Sequence, residues 1–355
     1  MKRDMRVGIV GCGLISSAHL KAWARAPGFA ATTVFDMNRE MADKRAREYG
    51  VSAAHSLEAL LDQVDIVDVC TPPASHAKIA EQAIAAGRHI VMEKPVVTEL
   101  ADWERLRGLL DGSPSKLAVI HNLKFLPAVV QAKAWVDEGR IGRIIRVQRE
   151  FLTSPANDRM LLGDKHWSHS LPGGRWFETL PHELYLTHYF AGPLELGDVT
   201  VARTSAPPPG APADEVLISL KGPGCLATIH FSAHCEQNRR VFTLHGTEGS
   251  ISIDLLSDFA QLSTTKDSKL KRALGRGLLD AGRALLRGAA DRPRYAVQHL
   301  RGDSAHSRII LRFADHLRDG APHPTPVEEV DYVVRNCDVI GREIDRKLVD
   351  PAAAA

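Results

Sequence analysis

Aromatic residues make up only 6% of this 355-residue chain, and there are only five cysteines. Cys12, Cys70, Cys225, Cys235 and Cys337 are widely scattered, and no C-x-x-C pair occurs. That pattern argues against a zinc ribbon, a dithiol redox motif and a disulfide framework, so reduced thiols in a cytoplasmic setting are expected. No apolar run reaches the roughly 18 residues of a transmembrane helix. The start, MKRDMRVGIVGCG, is basic but has no apolar stretch leading to a small-residue cleavage site, so no secretory signal is expected. Charge of one sign is also lacking: 45 Lys and Arg face 43 Asp and Glu. With that balance and no known binding module, nucleic acid is not an expected partner. The 16 histidines include no H-E-x-x-H, and no metal site is expected. No internal repeat is present.

What remains is an ordinary globular composition, 44% hydrophobic and 25% charged. At about 150 residues per domain, the length suggests two domains. Over the first 120 residues, short apolar runs (5–10, 30–35, 65–69, 89–92, 117–120) alternate with helical stretches (14–25, 38–49, 75–86, 100–110). Strands alternating with helices imply right-handed βαβ units and a parallel sheet. After residue 122 the rhythm changes. A helix is expected over 127–138, a strand over 143–151, and an irregular stretch over 154–182. Strands at 215–220, 226–234, 241–245 and 250–255 are separated by glycine turns, which predicts an antiparallel meander. Closing helices are expected over 304–318 and 327–347. The expected fold is therefore a parallel α/β domain over 1–122 and an α+β domain over 123–355.

VGIVGCGLIS places Gly11, Gly13 and Ser16 in a G-x-G-x-x-S turn between a strand and a helix. Gly11 permits the tight turn, and Gly13 lets a pyrophosphate approach the backbone. The amides of Leu14 and Ile15 then face that anion from a helix N-terminus. Asp36 ends the second strand, where an acid accepts the hydroxyls of an adenosine ribose. An acid there repels a 2′-phosphate, so NAD is the expected cofactor; nearby Arg39 leaves NADP open. The alternative for Asp36 is the N-cap of the next helix.

With GCGLIS in place, TPPASHAKIAEQAIAAGRHIVMEKP (71–95) makes the chain resemble the Gfo/Idh/MocA oxidoreductases, which include glucose–fructose oxidoreductase and inositol dehydrogenase. The resemblance implies a Rossmann domain followed by a domain with an open-faced antiparallel sheet. It also implies that Thr71, Pro72, His76 and Glu93 line the dinucleotide crevice, which sits at strand carboxyl ends. Oxidising an alcohol requires a group to take the hydroxyl proton. Lys94 of the E-K-P corner is catalytic in relatives, where its proline often follows a cis bond. GGRWFETLPHELY (173–185) is similar to the family's GG…D-x-G-x-H-x-x-D. Glu178 stands at the first Asp position and His182 at the His position, four residues on and on the same helical face. Leu180 and Tyr185 replace the family's glycine and final aspartate. His182 is the expected proton acceptor, with Lys94 assisting, Glu178 orienting the ring and Tyr185 a lesser proton donor. Asn122 is expected at the nicotinamide end. Lys124, Trp167 and Arg175 join Lys94 and His182 as expected substrate contacts, although Trp167 and Trp176 suit a core equally well.

Residues 266–294 carry nine Lys and Arg against three Asp, a net +6 within a chain total of +2. Leucines there recur at helical spacing. A helix packed on the domain or on a neighbouring subunit, with its charges solvated outward, is favoured over contact with a membrane surface or with an anionic lipid-linked or nucleotide-linked sugar. The expected function is NAD(P)-linked hydride transfer to or from a secondary alcohol of a sugar, nucleotide-sugar or cyclitol. One alternative is an enzyme with tightly bound NAD that uses transient oxidation for glycoside cleavage or epimerisation. Another is a non-catalytic NAD-binding sensor. The resemblance also implies a homodimer or homotetramer.

Overall fold

The computed structural model describes residues 4–163, 166–206, 208, 210–264 and 304–349. The basic segment 266–294 lies outside them. The chain folds as two units: residues to Asn122 together with 304–338, and Leu123 onward together with Val339 onward.

The first unit is built on β1 (Met5–Val10), β2 (Phe29–Phe35), β3 (Ser52–Ala53), β4 (Ile66–Val69), β5 (His89–Met92) and β6 (Leu117–Val119). All pair in parallel, in the order β3-β2-β1-β4-β5-β6. The order reverses beside β1, and ligands bind such sheets at the strand carboxyl ends next to that reversal. Every residue of β4 is buried, as expected for a strand covered on both faces. The crossovers are α1 (Ser16–Trp23), α2 (Arg39–Tyr49), α3 (Leu57–Leu61), α4 (His76–Ala85) and α5 (Leu100–Asp111). Asn38 caps α2 by accepting from the amides of Glu40 and Met41, and Gly50 ends it with φ +67°. β3 and α3 carry too few residues to show a period in the sequence.

The second unit contains α6 (Pro127–Asp137), β7 (Ile144–Leu152), α7 (Arg175–Ala191) and β8 to β13. The last six strands are β8 (Glu195–Ala202), β9 (Glu215–Gly222), β10 (Cys225–Ser232), β11 (Arg239–Gly246), β12 (Gly249–Asp254) and β13 (Phe259–Thr264). Their order, β13-β12-β11-β7-β10-β9-β8, corrects the expected simple meander. β7 lies between β10 and β11, parallel to the first and antiparallel to the second. Alternating residues of the sheet, among them Phe151, Ile218, Ile229, Phe231, Phe242 and Leu244, are buried. Trp176 of α7 stacks on Phe231 at 5.1 Å, and Phe190 packs on Phe242 at 5.6 Å. Leu217 and Leu226, on the other set of alternating positions, stay exposed, so the sheet has one covered and one open face.

α7 spans a segment expected to be irregular up to residue 182. Pro181 sits inside it and removes one helical N–H, a cost of about 3 kcal/mol. Burial of Trp176, Phe177, Leu180, Leu184 and Tyr185 outweighs that loss.

Two further helices are α8 (Ala305–Asp319) and α9 (Val327–Val349). A Ser304–Ser307 capping box starts α8, which packs on α1. Val330 and Val334 of α9 enter the core that contains Val96 and Trp103. Asp331 accepts from Trp103 Nε1 at 2.9 Å and from Arg107 at 2.8 Å. The assignment of everything after 122 to the second domain is therefore corrected for 304–338: the apolar faces of these helices are buried against the first unit. Among the described residues, no helix is long and apolar enough to cross a membrane.

Candidate active site

In the first unit, Gly11 has φ +94°, and a Cβ there would lie 2.8 Å from the backbone carbon of Cys70. Only glycine fits this crossing of the β1 and β4 ends. The Gly11 amide donates to Phe35 O at 2.8 Å. Arg45 of α2 braces the turn from behind, donating to Gly13 O at 2.9 Å. Ser16 Oγ donates to the same carbonyl at 2.7 Å, which settles why a serine serves at the third small position.

Asp36 does not cap α2; that position belongs to Asn38. Its carboxylate accepts from Cys12 N at 2.7 Å and Asn38 N at 2.8 Å, holding it at the end of β2. Arg39 is paired with Asp43 of its own helix at 2.9 Å. Burial and the Asp36 charge push the Cys12 thiol up to about 11, so it stays protonated at neutral pH. A cavity of about 740 Å³ opens here, lined by Gly11, Gly13, Asp36, Met37, Thr71 and Pro72 among others. Leu14 and Met37 are 85% and 95% exposed around this turn, apolar surface suited to a flat apolar ring. The close backbone approach at Gly11, the acid at Asp36 and the cavity volume together fit a dinucleotide.

His76 is fully buried, which corrects its expected place on the crevice wall. Its ring lies between two carbonyls, Nδ1 at 2.9 Å from Pro95 O and Nε2 at 2.7 Å from Thr71 O. It therefore sits wedged between the corner after β4 and the corner after β5, its one ring N–H donating to one of the two carbonyls. Burial lowers its pKa.

Glu93 and Lys94 follow β5, and the Lys94–Pro95 bond is cis. Glu93 Oε2 accepts from Lys94 N at 3.2 Å. Three residues that no sequence motif flags meet there. His19 of α1 has Nε2 at 3.0 Å from Glu93 Oε1 and Nδ1 at 2.9 Å from Asp68 of β4. His306 of α8 lies 3.6 Å from Glu93 and 3.4 Å from Asn122 Nδ2. No local pattern points to a histidine 184 or more positions from its neighbours.

In the second unit, Tyr185 is fully buried and its Oη accepts from Leu123 N at 3.0 Å. His182 Nδ1 lies 2.7 Å from the same oxygen. Tyr185 thus meets the His182 ring. Glu178, expected to orient that ring, accepts from Arg175 at 2.6 Å.

Arg175 is a correction. It is 4% exposed, and its guanidinium is committed to Asp158 at 2.8 Å, to Glu178 and to Thr179, so it is a buried structural cation rather than a substrate contact. Arg149 is likewise paired with the buried Glu183. Lys124 is also buried, with Nζ 5.3 Å from the centre of the Tyr189 ring. Trp176 is core, its Nε1 donating to Ala213 O at 3.0 Å. Trp167 is half-buried, with His166 5.2 Å from its ring. Gly174, at φ +61°, starts α7 where a Cβ would meet Pro212 at 2.7 Å, which explains the G-G pair before the helix.

Two family profiles match the chain. One, described as an oxidoreductase family with an NAD-binding Rossmann fold, covers residues 5–121. The other, the GFO/IDH/MocA C-terminal domain, covers residues 129–252. Levoglucosan dehydrogenase of Pseudarthrobacter phenanthrenivorans is 28% identical over 289 residues, 70% of this chain and 73% of its own length. The dTDP-3,4-didehydro-2,6-dideoxy-alpha-D-glucose 3-reductase of Streptomyces violaceoruber is 28% identical over 255 residues, 71% of this chain and 73% of its own. A solved structure of levoglucosan dehydrogenase with NADH and levoglucosan is similar at a TM-score of 0.78 and 20% identity, over 97% of this chain and 98% of the other. At that identity the likeness speaks for the fold. The first unit is an NAD-binding Rossmann domain.

Proposed function

The chain belongs to the Gfo/Idh/MocA family of oxidoreductases, and on that premise we propose that it transfers a hydride between nicotinamide and a secondary alcohol of a sugar, nucleotide-sugar or cyclitol, with Lys94 and His182 handling the proton. NAD supplies the hydride acceptor in the oxidative direction. The protein's own work is to bind, orient and move a proton.

Gly11, Gly13 and the start of α1 receive the pyrophosphate, and Asp36 the adenosine ribose. Thr71, Pro72 and Asn122 line the path toward the nicotinamide end, with Leu14 and Ile15 at the phosphates. His182 accepts the carbinol proton at Nε2. That role needs the tautomer with Nδ1 protonated, which the 2.7 Å contact to Tyr185 Oη allows when the phenolic oxygen accepts. A phenolic oxygen has two acceptor sites, so it can take both the Leu123 amide and the His182 Nδ1–H. This contact is the observation that carries the reading. Lys94 holds the substrate hydroxyl and stabilises the oxygen as its proton leaves. Trp167 offers a ring face for a pyranose.

Relatives named for levoglucosan and for a dTDP-linked hexose favour a hexose carbinol. The test follows the nicotinamide absorbance band with NAD and a panel of anhydrosugars, nucleotide-sugars and inositols. Stoichiometric NADH from at least one sugar is expected. No NADH from any of them, or sugar turnover without net NADH, overturns the reading.

A further inference from the structure

The E-K-P corner rests on a buried charge cluster that the proposed reaction does not itself use. His19 is fully buried on α1. Its two ring nitrogens each face a carboxylate, Asp68 at 2.9 Å and Glu93 at 3.0 Å. Asp68 also accepts from Trp23 Nε1 at 2.7 Å, and an indole N–H can only donate. Glu93 accepts from the Lys94 amide through its second oxygen. Both carboxylates therefore act as acceptors toward groups other than His19. A neutral imidazole has one N–H and would turn its lone pair toward one of them, which would then have to carry a proton of its own in a largely buried site.

The groups around His19 come from every packed element. Asp68 and Cys70 belong to β4 and its end, Glu93 and Lys94 follow β5, and His306 of α8 lies with its ring centre 6.0 Å away. Burial pushes the Cys70 thiol up to about 12. Burial lowers the pKa of His306. The same burial works against a charged His19, but the adjoining Asp68, and after it Cys70, outweigh it and raise its pKa. Burial alone would also raise Glu93, yet His19, His306 and Lys94 together hold it below the usual carboxylate range.

We propose that His19 is a positioning residue for the E-K-P corner: a permanent imidazolium strapped between Asp68 and Glu93, which fixes the carboxylate on which the Lys94 amide rests. The cation lets two buried carboxylates stand side by side at the ends of adjacent strands. Without it one of them takes up a proton, Glu93 loses its fixed orientation, and Lys94 is aimed less accurately. Small errors of aim cost large factors in a proton-transfer geometry. The effect on turnover rests on the function proposed above; the charge state of His19 does not.

The experiment therefore has two arms. In the first, the full-length protein carries nitrogen-15-labelled histidine, and the His19 ring signals are assigned by their loss in His19→Gln. Both nitrogens are expected to stay protonated from pH 6 to pH 8.5. An unprotonated ring nitrogen at pH 8 overturns the proposal. If His19→Gln does not fold, Glu93→Gln supplies the assignment, because removing that partner must shift the His19 pair and leave the other histidines in place. In the second arm, His19→Gln and Glu93→Gln are each expected to lower kcat about tenfold or more, and in His19→Gln the Kd for NAD changes less than threefold. A kcat within twofold of the parent in a folded variant overturns the positioning role. If the parent oxidises no sugar, the proposed function fails, and the first arm still decides the charge on His19.

Discussion

The imidazole Nδ1 of His182 lies 2.7 Å from the phenolic oxygen of Tyr185, three residues along α7. The same oxygen accepts from Leu123 N, so the tyrosine is fixed before it meets the histidine. Tyr185→Phe removes one oxygen and keeps the ring in its buried site. It is expected to lower kcat about tenfold and leave the Kd for NAD unchanged, because it releases the tautomer and aim of the proton acceptor. Steady-state rates at saturating NAD, together with a fluorescence titration of NAD, check this. A combined loss of fold and binding would mean that the hydroxyl serves stability alone.

Gly11 carries a prediction on the cofactor side. A methyl group there meets the Cys70 backbone at 2.8 Å and imposes a side chain on φ +94°. Gly11→Ala is expected to weaken NAD binding at least tenfold, since the β1 and β4 ends must part and the phosphate-binding turn shifts with them. Calorimetric titration with NAD measures it.

Asp214 gives a pH prediction. It is fully buried and accepts from the amides and hydroxyls of Thr204 and Ser205 at 2.8 to 3.0 Å. Burial opposes its charge, but these donors win and lower its pKa from 3.8 to about 2. A carboxylate with a depressed folded-state pKa stabilises the fold above its unfolded-state value, and that contribution is lost as pH falls toward the folded one. The shift corresponds to about 2 kcal/mol at neutral pH. Asp214→Asn is therefore expected to unfold at lower urea than the parent at pH 7, with a gap that roughly halves by pH 3. A gap that does not change with pH would assign the loss to geometry rather than charge.

The parallel half of the fold is legible in the sequence because its strands are continuous apolar runs and its helices carry their own signals. Gly11, Asp36 and the E-K-P corner are legible because each ends a strand whose position is already fixed. The second unit is less so. Nothing in the composition of β7 says that it sits between β10 and β11 rather than at an edge of the sheet, since register between distant strands is set by pairing partners and not by local pattern. Pro181 obscures the extent of α7, because a helix-breaking residue interrupts the buried stripe around it, although the spacing of Glu178 and His182 already suggests a helical face. Arg175 reads as an available cation because Asp158, which neutralises it, lies 17 residues away in an irregular stretch. His19 and His306 stay out of sight because a lone histidine on a helix gives no sign of the carboxylates meeting it from other elements. Function is legible at the level of chemistry, whereas substrate choice depends on shape that residue types alone do not encode.

If Lys94 and His182 move the proton of a sugar carbinol whose hydride goes to NAD, both must govern the chemical step itself. The most direct test is single-turnover NADH formation by the parent, Lys94→Ala and His182→Ala, each saturated with NAD and the best sugar from the panel. Stoichiometric NADH is expected from the parent, and rates lower by a factor of about 10² or more in each variant, with NAD still bound. NADH formed by both variants at the parent's rate would contradict this assignment.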